Sequence, residues 1–212
     1  MSDEAPIVFT TSPKLSLALH GDGPAFEEAM RAVGPDKTLE WLRHRVGDAI
    51  EPDFLASAVS AWFDAGSDDE RVMARVELAE ILQDADPSTS ELLWEASMRD
   101  GFQREDSEQA FDAVTHLAAF AEETGDPDTA AEYYIDFLNW RREPGRVSDP
   151  EAVHQAFEEV IRLALASGQT AAAARFEHAH AQFASIDETG GEAASEGDWA
   201  PESPPFSGWD QD

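Results

Sequence analysis

Apolar residues recur three and four positions apart along most of the chain, and the runs are punctuated by proline and glycine. From Pro52 the set Phe54, Leu55, Ala58, Val59 and Trp62 forms one stripe; after Asp106, Ala110, Phe111, Val114, Leu117, Ala118 and Ala121 form a second. The pattern returns after Asp149 as Val153, Ala156, Phe157, Val160, Ile161 and Ala164, and after Gly168 as Ala172, Phe176, Ala179 and Phe183. Positions with this spacing share one face of a helix, so each run predicts an amphipathic helix. Near the N-terminus the pattern changes. Ile7 to Thr11 and Leu15 to Leu19 have strand-like composition around Ser12-Pro13, and because two isolated short strands are rarely stable alone they predict an extended segment lying along the helices.

Start signals divide the helical stretch. Asp-Pro occurs at Asp86-Pro87, Asp126-Pro127 and Asp149-Pro150, each ahead of a run with helical period. An Asp carboxylate accepts hydrogen bonds from the unpaired N–H groups of a first turn, and Pro at the first helical position loses no bond there. Pro24, Pro35 and Pro52 stand where further helices could begin, and "SDDE" at Ser67–Glu70 and "DSEQ" at Asp106–Gln109 have capping-box spacing. Together these signals predict about nine helices, at roughly 24–33, 35–47, 52–65, 68–85, 87–100, 106–124, 127–142, 150–167 and 169–186. Connections this short force neighbouring helices antiparallel, which predicts helical hairpins.

The hairpins repeat. "HLAAFAEETGDPDTAAEYYIDFL", "ELAEILQDADPSTSELLWEASM" and "EVIRLALASGQTAAAARFEHAHAQF" each have an apolar-small helix end, a turn, small residues and then an aromatic, recurring at roughly 40 residues. The first resembles a tetratricopeptide repeat through Leu117 and Ala118, the turn at Gly125-Asp126, and Ala130, Tyr134 and Phe137. Ala118 and Ala130 would let two helices approach closely, while Tyr134 and Phe137 would fill space against the next hairpin. The last hairpin resembles the motif through Val160, Ala164, Gly168, Ala172, Phe176 and Ala179, with a turn one residue short. Leu78, Ala79, Trp94 and Ser97 match more loosely, as does the stretch "TLEWLRHRVGDAIEPDFLASAVSAWF". The resemblance implies an all-α fold: a right-handed stack of antiparallel hairpins, an α-solenoid. The expected division is an N-terminal extended segment over 1–23, a helical repeat domain over 24–186, and a tail over 187–212. That tail combines Gly, Ser, Pro and acids with three aromatics, a composition that predicts disorder.

Charge narrows the class of partner. Asp and Glu total 45 against 14 Lys and Arg, a formal net charge of −31, which argues against neutralising nucleic-acid or lipid phosphates and favours a basic protein partner. Asp187 to Asp212 holds eight of the acids, so most of the charge sits on the helical part. Two lysines against twelve arginines, with abundant alanine, are also compatible with a GC-rich genome or a salt-adapted proteome. The absence of cysteine excludes disulfides and thiolate metal sites. The start "MSDEAPIVFTTSPK" lacks the pattern of a signal peptide and no run reaches the length of a membrane span, so a cytoplasmic location is expected.

Candidate chemistry is sparse. No P-loop, dinucleotide glycine pattern, nucleophile elbow or paired metalloprotease histidines occur, so no enzyme activity, cofactor or metal is expected. His178 and His180, two apart, would point about 200° apart on a helix and cannot share a metal, and His154 with Glu158 reads as a surface pair. Asp84, Asp86, Ser88, Ser90 and Glu95 imitate calcium-loop spacing, but Thr89 stands where that loop needs glycine. Trp41, Arg43, His44 and Arg45 form a basic-aromatic patch: a docking surface or, the favoured reading, a locally neutralised helix face. Trp62, Trp94, Tyr134 and Phe157 are expected in the core.

The resemblance implies partner binding along the face lined by first helices. Aligned on Leu117, that face would contain Asp112, Thr115, Ala119 and Glu122, and in the last hairpin Gln155, Glu158 and Arg162. Trp199, Phe206 and Trp209 in the tail could anchor in a partner's pockets as a short linear motif. The leading expectation is a non-enzymatic adaptor or chaperone-like module for a basic protein segment. The alternative is a polyanion-mimicking inhibitor or immunity protein that blocks a nucleic-acid-binding protein.

Overall fold

A computed structural model describes residues 12–143, 146 and 149–188. Among them the regular structure is entirely helical: α1 (Pro13–Ala18), α2 (Gly23–Val33), α3 (Pro35–Val46), α4 (Pro52–Asp64), α5 (Asp68–Leu82), α6 (Pro87–Arg104), α7 (Ser107–Glu123), α8 (Pro127–Arg141), α9 (Pro150–Ala166) and α10 (Thr170–Glu188). The all-α expectation holds, with ten helices where about nine were expected. The helices fall into two compact units, Met1–Ala96 and Ser97–Asp212.

The start signals act as expected. Asp126 and Asp149 accept from the backbone N–H of Thr129 and Glu151, each at 3.1 Å, with Pro in the first turn. Ser67 and Glu70 form a complete capping box. At Asp106 only half of the box forms: its carboxylate accepts from Gln109 N, while the Gln109 side chain donates to Ser97 O at 2.8 Å. Asp86 is used differently. Its carboxylate lies buried between the Arg45 guanidinium and the Thr89 hydroxyl, which donates at 2.6 Å.

The added helix corrects the strand expectation over Leu15–Leu19. Ser12 is extended and Pro13 sits at the first helical position, so α1 begins there. Leu15, Leu17 and Leu19 alternate as in a strand, but on a helix residues two apart face nearly opposite ways. Leu15 is accordingly fully buried and Leu17 is 75% exposed. Ile7 to Thr11 lies outside the described residues.

In the first unit each of α1 to α5 packs on its neighbour in the chain. Leu15, Phe26, Met30, Leu55 and Leu78 are fully inaccessible. Within this core runs a polar tie. Arg75 Nε donates to Glu27 Oε1 at 2.6 Å, Trp62 Nε1 donates to the same oxygen at 3.3 Å, and Arg31 donates to Glu27 Oε2 at 3.1 Å. Glu27 and Arg75 are each only 4% exposed. Gly23 allows backbone contact with α6: a Cβ there would overlap the carbonyl oxygen of Leu92 and the amide nitrogen of Ala96. Two members of the basic-aromatic patch are tied into the fold, while Arg43 and His44 are exposed. Trp41 is buried and donates to Ser16 Oγ at 3.2 Å, and Arg45 lies over its ring while pairing with Asp86.

The second unit packs α7 on α8, α8 on α9 and α9 on α10. Ala113, Ala118, Ala121, Ala130 and Ala131 are all buried, so these helices meet over small side chains, with Phe137, Leu138 and Phe157 filling the spaces between. Gly101 sits against Ala110, where an added Cβ would lie 2.7 Å from a backbone nitrogen. Phe102 and Trp140 stack at 5.3 Å, and Trp140 Nε1 donates to Phe102 O. Of the four aromatics expected inside, Trp62, Trp94, Tyr134 and Phe157 are all buried, whereas Phe54, placed in a core stripe, is 53% exposed. Phe54 is adjacent to Leu55, and α4 turns Leu55 inward instead.

Candidate functional site

The candidate site begins with what α7 and α9 leave outside. On α7 the buried stripe is Ala110, Ala113, Val114, Leu117, Ala118 and Ala121. Asp112, Thr115, Ala119 and Glu122 fall three and four apart on another face, Thr115 partly covered and the rest exposed. On α9 the stripe of Val153, Ala156, Phe157, Val160, Leu163 and Ala164 likewise leaves Gln155, Glu158 and Arg162 exposed. All seven are therefore at the surface of the second unit.

One pair among them is joined directly. Arg162 donates to both carboxylate oxygens of Glu122, at 3.0 and 2.6 Å, across 40 residues of sequence. It also donates to Glu159 at 2.7 Å, one turn back on α9. The side-chain hydrogen bond to Glu122 is the largest influence holding the guanidinium in its charged form, followed, after an opposing effect of burial, by that to Glu159. Asp112 stays local, with its carbonyl accepting from the Thr115 hydroxyl at 2.7 Å and its carboxylate 3.9 Å from His116.

Beneath this pair lies Tyr134. Burial first, then the charges of Glu159 and Glu122, push its phenol up to about 12, with Arg162 opposing. The residue expected only as core packing thus also lies within the field of the surface carboxylates. Glu159 was not anticipated, although it precedes Arg162 by three positions, a spacing that signals a same-face pair. Trp199, Phe206 and Trp209 lie outside the described residues.

The other candidate donors are engaged elsewhere. Asp86 and Ser90 of the calcium-like spacing serve Arg45 and the carbonyl of Ala79. His178, exposed, contacts Gln182 at 3.2 Å, while His180 turns the other way to meet His154 at 2.7 Å, a contact the His154–Glu158 spacing did not suggest. Among the described residues no group of three or more His, Cys, Asp or Glu is placed to hold a metal ion, and no helix is long and apolar enough to cross a membrane.

Compared with known proteins, the chain matches no family model, no curated protein and no solved structure.

Proposed function

We propose that this is a tetratricopeptide-like stack of helical hairpins that binds a basic segment of another protein along the exposed face of α7 and α9, acting as an adaptor and not as an enzyme. The observation that carries the reading is the charge of that face. Together α7 and α9 hold seven acidic side chains and one basic one, and that base, Arg162, is already engaged by Glu122 and Glu159. Asp112 and Glu158 on the same face remain exposed. A surface with this excess of carboxylates over bases, on helices held by packing, attracts arginine and lysine and steers their approach.

Repetition supports the hairpin part. Gly125 and Gly168 both adopt a left-handed conformation, with φ of 82° and 77°. The turn bonds match as well: Asp126 N donates to Ala121 O, and Gln169 N to Ala164 O, both at 2.8 Å. The Glu122–Arg162 pair then joins two first helices, α7 and α9, across 40 residues of sequence.

The test is binding of a fluorescent arginine-rich peptide, followed by anisotropy at low and high salt. Asp112→Lys with Glu158→Lys, both at exposed positions, is expected to weaken binding by about tenfold and to flatten its salt dependence. Equal affinity for a neutral peptide of the same length, or no effect of the double reversal, would remove the charge-based reading. A chain ending at Ile186, assayed in parallel, measures the share carried by Trp199, Phe206 and Trp209.

A further inference from the structure

His154 on α9 and His180 on α10 face each other through ring nitrogens, His154 Nδ1 to His180 Nε2, at 2.7 Å. Apolar rings flank the pair: Phe157 stacks on His180 with centroids 5.2 Å apart, and Phe183 meets His154 edge-on at 5.0 Å. One part of the seam between these helices is a cluster of Ala164, Ala172 and Ala173 with Ile161 alongside, and Phe176 and Phe183 of α10 are buried as well. Apolar burial is indifferent to pH, so the histidine contact is what makes this seam responsive to protons.

A hydrogen bond between two imidazoles needs one nitrogen bearing a proton and one bearing a lone pair. Protonating both rings sets two N–H groups against each other, removes the bond and places like charges in contact beside apolar rings. We propose that the His154–His180 contact is a pH-sensitive latch, holding α10 on α9 at neutral pH and releasing it once both rings are charged. The latch governs the helix from which residues 189–212 continue.

The surrounding charges favour this behaviour. Burial lowers the His180 pKa most, His154 lowers it further, and Glu158 on α9 opposes them. α8 also packs on α9, and the charges that act on His180 are those of His154 and Glu158, both on α9. His178 points away to Gln182. Because the folded pKa lies below that of a free histidine, the stabilisation is complete above about 6.5 and is lost as pH falls through the folded value.

The experiment is hydrogen exchange of the full chain from pH 8 to pH 5, corrected for intrinsic rates, together with ring-nitrogen NMR. The His180 ring is expected to titrate below a free histidine. Protection of α10 should fall by about tenfold per pH unit below the ordinary histidine range, while that of α7 and α8 holds. His154→Gln keeps a hydrogen-bonding side chain without a titratable group and should remove most of this pH dependence, as should His180→Gln. A His180 ring that titrates as a free histidine in the wild-type chain, α10 protection that stays flat, or an unchanged profile in a folded glutamine variant would overturn the latch. The wild-type measurements decide the matter even where a variant fails to fold.

Discussion

Glu27 is a buried carboxylate receiving hydrogen bonds from Arg75, Arg31 and Trp62. Removing Arg75 takes away the buried cation and leaves Glu27 with the half-exposed Arg31 and the Trp62 N–H, so Arg75→Met is expected to destabilise the protein by about 3 kcal/mol. Glu27→Leu combined with Arg75→Met removes both charges and should cost much less than the sum of the single changes, which urea unfolding of the cycle checks. Glu91 makes the opposite case. Burial and then the neighbouring Glu95 raise its pKa, so its contribution to stability is present below the free glutamate range and is lost as pH rises through the folded value. Glu91→Gln is therefore expected to raise Tm at pH 7, with the gain fading as pH falls through the raised folded value and gone below about 4. An equal gain at both pH values would remove the electrostatic cause.

At the scale of elements, helix starts and close approaches decide what holds. Ser67→Ala breaks the capping box of α5 and should cost about 1 kcal/mol, whereas the same change at exposed Ser185 near the end of α10 should fall within about 0.5 kcal/mol. Phe137, fully buried between α7 and α8, touches Phe111 at 5.0 Å and Trp140 at 5.9 Å between ring centroids. Phe137→Ala should cost about 3 to 5 kcal/mol in denaturant titrations and Phe54→Ala close to nothing, because only the first opens a cavity. Gly101→Ala tests the α6–α7 approach: its Cβ would lie 2.7 Å from the Ala110 nitrogen, so the helices must separate, at about 1 to 3 kcal/mol.

For the whole molecule the governing quantity is a net charge of −31, which makes the compact state repel itself. Added salt screens that repulsion, so Tm is expected to rise from low to physiological ionic strength, and to do so with sodium chloride as well as with sulfate. A rise with sulfate alone would assign the effect to surface exclusion instead of charge screening. Binding of a basic segment to α7 and α9 would relieve part of the same repulsion, so the affinity and the salt dependence of stability are linked through one field.

The helices were legible in the sequence because their causes are local. Pro at the first position, Asp or Ser before it, and apolar residues three and four apart act within a few turns, and α2 to α10 start within one residue of the expected places. The last turn is not shortened as expected: three residues separate α7 from α8 and three separate α9 from α10, and the one-residue offset of Ala172 and Phe176 from Ala130 and Tyr134 falls within the second helices. α1 was missed because six residues with alternating leucines satisfy a strand pattern equally well, and only packing chose Leu15 over Leu17. The candidate face came from the resemblance aligned on Leu117, and helical periodicity accounts for its lying off the buried stripes of α7 and α9. Tertiary structure alone decided the pairs: Arg162 with Glu122, Arg45 with Asp86, Glu27 with Arg75 and His154 with His180 lie 26 to 48 residues apart. Such contacts depend on which helix faces are brought together, and no spacing within a single helix encodes that.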